Sequence, residues 1–377
     1  MACLLAAYSA VLLVYSPLTR SLIDGQPGEV ALADFGSFYA SGQAAAQGLD
    51  PYGVYPLTMD AALGAGHGAA VNLNAPLSVS VFQLFIGFDP ASARLGWFLV
   101  SIAAYAISVV LLVWTSPGAR DPLRVVAPFA LAGFTETLDL GQVYAVLALW
   151  TTLALLLMRR RPLVAAILLG FVAAFKPNFL VWPVVLVVVG ARRIGLAALA
   201  AAVGFSVLPV LQFGPGIYAQ WLSALGLEQV NPQMANASIA GAAVRLGLPG
   251  QIGVALAGVG AVLLLVWLRR TPTQPASLWA LAASLLCSPL AWVGYTAFLL
   301  PVFFAARWSL ALAVGAALLC APRLLLQPLA DSSTLLRLTV GNAYTLGWLL
   351  LLAAMWMSQP KSDEAYFLQR QKVVTGL

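Results

Sequence analysis

The chain has 377 residues, 62% of them hydrophobic and 8% charged, with a mean hydropathy of +0.92 and a formal net charge of +6. A soluble domain is about 25% charged, so this composition excludes an ordinary soluble protein and indicates one integral membrane domain over residues 1–377. The arginines stand in short clusters between apolar runs, as the positive-inside bias requires, and this excludes a nucleic-acid role.

At 1.5 Å per residue, roughly twenty apolar residues cross the hydrocarbon, and the chain offers about a dozen such stretches. An all-α polytopic bundle of about 12 transmembrane helices is therefore expected. Met1 to Pro17 has no basic segment before its apolar run and reads as a retained first helix. The first extracytoplasmic loop then covers residues 18–94. Within it, Asn74 to Phe88 either spans the membrane or lies along its outer surface. If it spans, Arg159–Arg161, Arg192–Arg193 and Arg269–Arg270 emerge outside, against the charge bias. If it lies in the interface, started near Pro76 and ended by Asp89–Pro90, all three clusters fall inside.

The second path is the one expected. Leu95 to Trp114 descends, and an ascending span from Val125 leads to a second outer loop at Thr135 to Gln142. Leu163 to Phe175 rises to an outer turn at Lys176–Pro177–Asn178. A third outer loop covers residues 212–250, a hairpin turns outside around Ser288 to Trp292, and Ala321 to Arg337 is outer or interfacial. Val340 to Met357 is the last span, before a cytoplasmic tail at 358–377. Thirteen of the 19 basic residues then lie inside, whereas ten of the 13 acids lie outside. Acids matter little for orientation, so their outer clustering points to chemistry there. Cys3, Cys287 and Cys320 have no metal or disulfide spacing and read as core residues.

Asp34 is open to two readings. It is a good N-cap for a short helix running to Gln47 and closed by Gly48. It is also a carboxylate on an ordered element at the membrane surface, where a general base for an acceptor hydroxyl would sit. Glu136 and Asp139 either bind sugar hydroxyls or cap helices, and no DxD motif or histidine cluster accompanies them, so a metal-independent reaction is expected. Tyr39, Tyr52, Tyr144 and Trp292 are candidates for stacking on sugar faces, although aromatic residues at the outer interface are common in membrane proteins. His67, the only histidine, reads as a solvated loop residue.

The segment Asp34–Phe–Gly–Ser–Phe–Tyr39, followed by small residues and Gly48–Leu–Asp–Pro51–Tyr52, resembles the first loop of glycosyltransferase family 87. Four later segments resemble that family in the same order. These are Gly141–Gln142, Gly170 to Lys176–Pro177, Asn236–Ala–Ser238–Ile–Ala–Gly241 with Arg245, and Ser288–Pro289–Leu–Ala–Trp292. The chain departs from it after Trp292, where Val–Gly–Tyr295 stands in place of a histidine, so no histidine role is carried over.

The resemblance implies a GT-C architecture with juxtamembrane helices in the first loop. It also implies an inverting transfer of a sugar, mannose in that family, from a polyprenyl phosphate to a glycolipid or glycan acceptor. Asp34 is then the catalytic base. Lys176 and Arg245 would bind the donor phosphate, whose developing charge needs cationic donors; Lys176 alternatively snorkels to headgroups. Tyr39, Tyr52, Glu136, Asp139, Gln142, Asn236, Ser238 and Trp292 complete the expected substrate site. The lipid-linked sugar is a substrate, so no cofactor and no metal are expected, and membrane lipids are the other partners. The expected location is the bacterial inner membrane, with the site facing the periplasm or cell exterior. The alternative is a lipid or lipid-linked-sugar transporter, which would show broken helices near the midplane instead of polar motifs at one surface.

Overall fold

The computed structural model describes residues 2–14, 33–53, 72–116, 121–227 and 232–358, and those residues form helices with no strand. His67 and the tail beyond Ser358 lie outside them. Among the described residues, four helices are long and apolar enough to cross a membrane: Pro90–Thr115, Arg192–Phe213, Gly250–Leu268 and Thr334–Met357. The first has 26 residues, or about 39 Å at 1.5 Å per residue against a hydrocarbon thickness of about 30 Å. Five apolar helices are shorter. A 14-residue example such as Pro162–Phe175 runs only about 21 Å. Short helices of this kind end at membrane depth only where other protein covers their polar ends.

The breaks follow local chemistry. Helix α1 (Ala2–Val14) precedes α2 (Ala33–Ala46), and Gly48 at φ +70° ends the turn that closes α2. The segment from Asn74 to Phe88 holds α3 (Leu77–Phe82) and a single 3-10 turn, Gln83–Phe85. Their nine residues extend about 13 Å, too short to cross. Asp89 caps α4 (Pro90–Thr115), accepting from the amides of Ala91 and Ser92, with Pro90 in the first position, where its missing N–H costs nothing. The next helical stretch is split into α5 (Pro122–Ala130) and α6 (Ala132–Leu140). Pro128 lies inside α5, Leu131 turns extended, and Gly141 at φ +67° closes α6.

Two tight approaches organise the middle of the chain. Helix α7 (Tyr144–Leu157) leads to α8 (Pro162–Phe175), which a 3-10 turn and α9 (Val181–Val188) connect to α10 (Arg192–Phe213). A Cβ on Gly170 would meet Ala201 Cβ at 2.5 Å and Ala198 O at 2.7 Å, so glycine sets the closeness of α8 and α10. Further along, the stretch 233–241 and the Ser288–Trp292 turn form one unit. Ala237 N–H donates to Ala291 O at 2.7 Å, and Val293 N–H donates to Ala235 O at 2.8 Å.

An aromatic cluster ties the first loop to the bundle. Phe35, Phe38, Phe82, Phe85 and Trp97 pack together, with Phe82 5.0 Å from both Phe38 and Trp97. The Trp97 indole N–H donates to Gly141 O at 2.8 Å. Helix α2, the start of α4 and the end of α6 are thereby held as one body.

A Gly170→Leu substitution is expected to lower stability by about 1–3 kcal/mol through overpacking. Thermal unfolding in detergent measures this, and an unchanged midpoint would remove the tight α8–α10 contact from the account.

Candidate active site

The α2 helix begins at Ala33, which puts Asp34 in its first turn. Its carboxylate is not spent on a local cap: Oδ2 accepts from Gln142 Nε2 at 2.6 Å, across 108 residues of chain. The Trp97 hydrogen bond explains the reach, because it fixes Gly141 while the indole ring packs against Phe35, next to Asp34. Asp34 keeps an accessible edge, whereas Gln142 is buried and its Oε1 has no partner. A buried unpaired amide oxygen is costly.

Burial pushes the Asp34 pKa up to about 6; the Gln142 hydrogen bond opposes this, the Glu136 charge adds to it, and the charges of Lys176 and Arg323 also oppose it. Asp34, Glu136, Gln142, Lys176 and Arg323 thus share one electrostatic environment. Glu136 itself is pushed up by burial, against the pull of Arg323. Arg323 Nη1 donates to Glu136 Oε1 at 2.6 Å.

Lys176 leaves its helix because Pro177 follows: the residue before proline is driven out of the helical region, and Lys176 adopts φ −132°, ψ 93°. Its ammonium stands 5.0 Å from the centre of the Tyr144 ring and 5.3 Å from that of Tyr295, and donates to the Tyr295 hydroxyl at 3.3 Å. The rings themselves meet edge to face at 4.6 Å. Such cation–π contacts are worth about 0.5–2 kcal/mol each and hold the charge in place without neutralising it. Gly294 makes this possible, since a Cβ there would meet the Tyr144 ring at 2.6 Å.

Other expected site residues do framework work. Arg245 is buried, and its guanidinium donates to Asn342 Oδ1 at 2.7 Å, to the carbonyls of Gln233 and Asn236 at 2.9 Å each, and to Thr345 Oγ1 at 3.1 Å. Burial lowers its pKa to about 10, which leaves it charged at neutral pH. Its donors are thereby spent on the protein instead of a phosphate. Asn236 Oδ1 accepts from the amides of Ala291 and Ser238; Ser238 caps α12 (Ile239–Arg245) through Gly241 N–H and donates to Pro289 O at 2.9 Å. Asn236 and Ser238 therefore join the two motifs to each other. Tyr39 and Tyr52 are buried, with hydroxyls donating to Phe88 O and Asn74 O at 2.9 Å each. Asp139 and the Trp292 ring remain partly accessible.

Two members of the cluster were not anticipated from the sequence. Tyr295 looked like the position where a histidine was lacking, and Arg323 looked like one more outer basic residue. Nothing in either local sequence names its partner.

A helical, apolar bundle with a partly buried Asp34 and a tyrosine-held ammonium defines a polytopic membrane protein with a polar site between its helices. The family model of glycosyltransferase family 87 matches residues 72–294. The match covers more than half of the chain, which therefore belongs to glycosyltransferase family 87 and is a membrane glycosyltransferase. No curated protein and no solved structure matches it. Glu136, Gln142, Lys176, Arg245 and Trp292 fall inside the matched region; Asp34 and Arg323 fall outside it.

Two outcomes follow. Asp34 is expected to titrate near pH 6, read as the carboxylate band lost in infrared difference spectra of Asp34→Asn. Gln142→Leu removes a hydrogen bond that favours the ionised form, so the titration moves to higher pH; a downward shift would refute the contact. Arg245→Met leaves several buried acceptors unpaired and is expected to cost at least about 2 kcal/mol in thermal unfolding. Full stability combined with weakened donor binding would instead return Arg245 to the phosphate site.

Proposed function

We propose that this chain is an inverting glycosyltransferase that moves mannose from a polyprenyl phosphate to a hydroxyl of a glycolipid or glycan, at the extracytoplasmic face of the bacterial inner membrane. The observation that carries the reading is the Asp34 carboxylate, held at 2.6 Å by Gln142 and within electrostatic reach of Lys176. The polyprenyl donor, the sugar and the facing side follow from the family resemblance and from the arginine distribution, which puts the loops carrying these residues outside.

The acceptor hydroxyl gives its proton to Asp34, and its oxygen forms a bond to the anomeric carbon. The bond from that carbon to the phosphate oxygen breaks on the opposite face, and its electron pair stays on the phosphate. One displacement inverts the centre. A base with a pKa near 6 is ionised at neutral pH and accepts a proton more readily than an ordinary aspartate. Gln142 fixes the carboxylate, and its unpaired Oε1 is placed to accept a hydroxyl hydrogen bond. Lys176 meets the phosphate, its ammonium positioned by the Tyr144 and Tyr295 rings.

With purified protein, polyprenyl-phosphate mannose and candidate acceptors, Asp34→Asn is expected to lower kcat by about 10²–10⁴-fold while donor binding persists. Lys176→Ala is expected to weaken donor use. The wild-type rate should fall as pH drops through about 6, where Asp34 takes up its proton. Unchanged turnover in Asp34→Asn would remove the base. Labelled lipid that changes leaflet without a new glycosidic bond would favour transport.

A further inference from the structure

We propose that Arg323 is the second cation of the donor-phosphate site, held by Glu136 in the resting enzyme and transferred to the phosphate as the sugar leaves. The inference rests on the transferase reading and extends it beyond the family-matched region, which ends at residue 294.

The need for a second cation comes from charge balance. The donor is a phosphodiester with one negative charge. Breaking the anomeric carbon–oxygen bond leaves a monoester, whose second proton has a pKa of about 6 and whose charge approaches two at neutral pH. Lys176 matches the first charge, and the guanidinium of Arg245 is already engaged by the carbonyls of its socket. Arg323 is the other cation that acts on Asp34.

The contact that holds Arg323 suits an exchange. It joins one guanidinium nitrogen to one carboxylate oxygen at 2.6 Å, and the two side chains are 27% and 13% exposed. A half-buried ion pair adds little net stability, because desolvation offsets most of its attraction. Stability alone therefore gives no reason to keep one in an apolar bundle, where ionisable side chains are functional suspects by default. A phosphate offers the guanidinium two oxygens where Glu136 supplies one, and arginine binds such pairs in a fork. Glu136, whose burial already favours its neutral form, takes a proton from solvent when the guanidinium departs. It lies on α6, five residues before Gly141 and six before Gln142, the partner of Asp34, so the exchange occurs near the base.

The test uses purified full-length protein with farnesyl phosphate, a monoester, and its methyl ester, a diester, as binding probes in thermal-shift titrations. Arg323→Ala is expected to weaken the monoester by about tenfold or more, a difference of about 1.4 kcal/mol, with a much smaller effect on the diester. Arg323→Lys should recover part of the loss. Glu136→Gln should tighten the monoester, because it removes the competitor for Arg323. These opposite signs distinguish exchange from a structural ion pair, in which both substitutions weaken binding together. Parallel weakening, or no change in either variant, would overturn the role of Arg323. If Arg323→Ala does not fold, Glu136→Gln and Arg323→Lys still decide the question. Failure of the wild type to form a glycosidic product would overturn the transferase reading, a separate result from the binding pattern.

Discussion

Trp97 is the constraint on which the site depends. Its ring packs against Phe35 and Phe82, which fixes the helix that begins beside Asp34, and its indole N–H holds the carbonyl of Gly141, the residue before Gln142. One side chain therefore positions both partners of the Asp34–Gln142 hydrogen bond. That bond joins residues 108 positions apart, and neither of their own helices could aim it unaided. Gly141 is part of the same device: its left-handed backbone turns the chain after α6, and a side chain there would be strained.

The charged groups balance one another. A carboxylate half-buried among aromatic rings would ordinarily be driven towards its neutral form. Here a hydrogen bond and two cations restrain the shift, so the group stays ionised at neutral pH while remaining a usable proton acceptor. Lys176 is held in place by a comparable arrangement of uncharged partners. Tyr144 and Tyr295 offer ring faces and a hydroxyl, none of which carries a negative charge, so the ammonium is stabilised yet still available to an anion. Arg245 is the contrasting case, with most of its guanidinium donors engaged by its socket and a role in holding the 233–245 segment against the last helix.

Much of the architecture was legible from the amino-acid order. Hydropathy marked the apolar helices, Asp89–Pro90 marked the end of the segment before the first long span, which begins at Pro90 and not at Leu95, and Pro177 marked the turn at Lys176. The Asn74–Phe88 segment was ambiguous by composition, and its short helix and single 3-10 turn are too short to span the hydrocarbon. The site was legible only as a set of residue types. Asp34 by itself read more readily as a cap than as a base, because its Gln142 partner lies far along the chain. Arg245 read as a phosphate ligand because two of its acceptors are backbone carbonyls, and a sequence shows side chains without showing where carbonyls point. Arg323 was overlooked for a related reason: its carboxylate partner is 187 residues away.

The most direct measurement is a cryo-electron microscopy structure of the protein with a bound prenyl phosphate. The account predicts the phosphate within hydrogen-bond distance of the Lys176 ammonium, on the accessible side of Asp34, with the prenyl chain directed into the bilayer. A phosphate bound instead among Arg159, Arg160 and Arg161, away from Asp34 and Lys176, would contradict it.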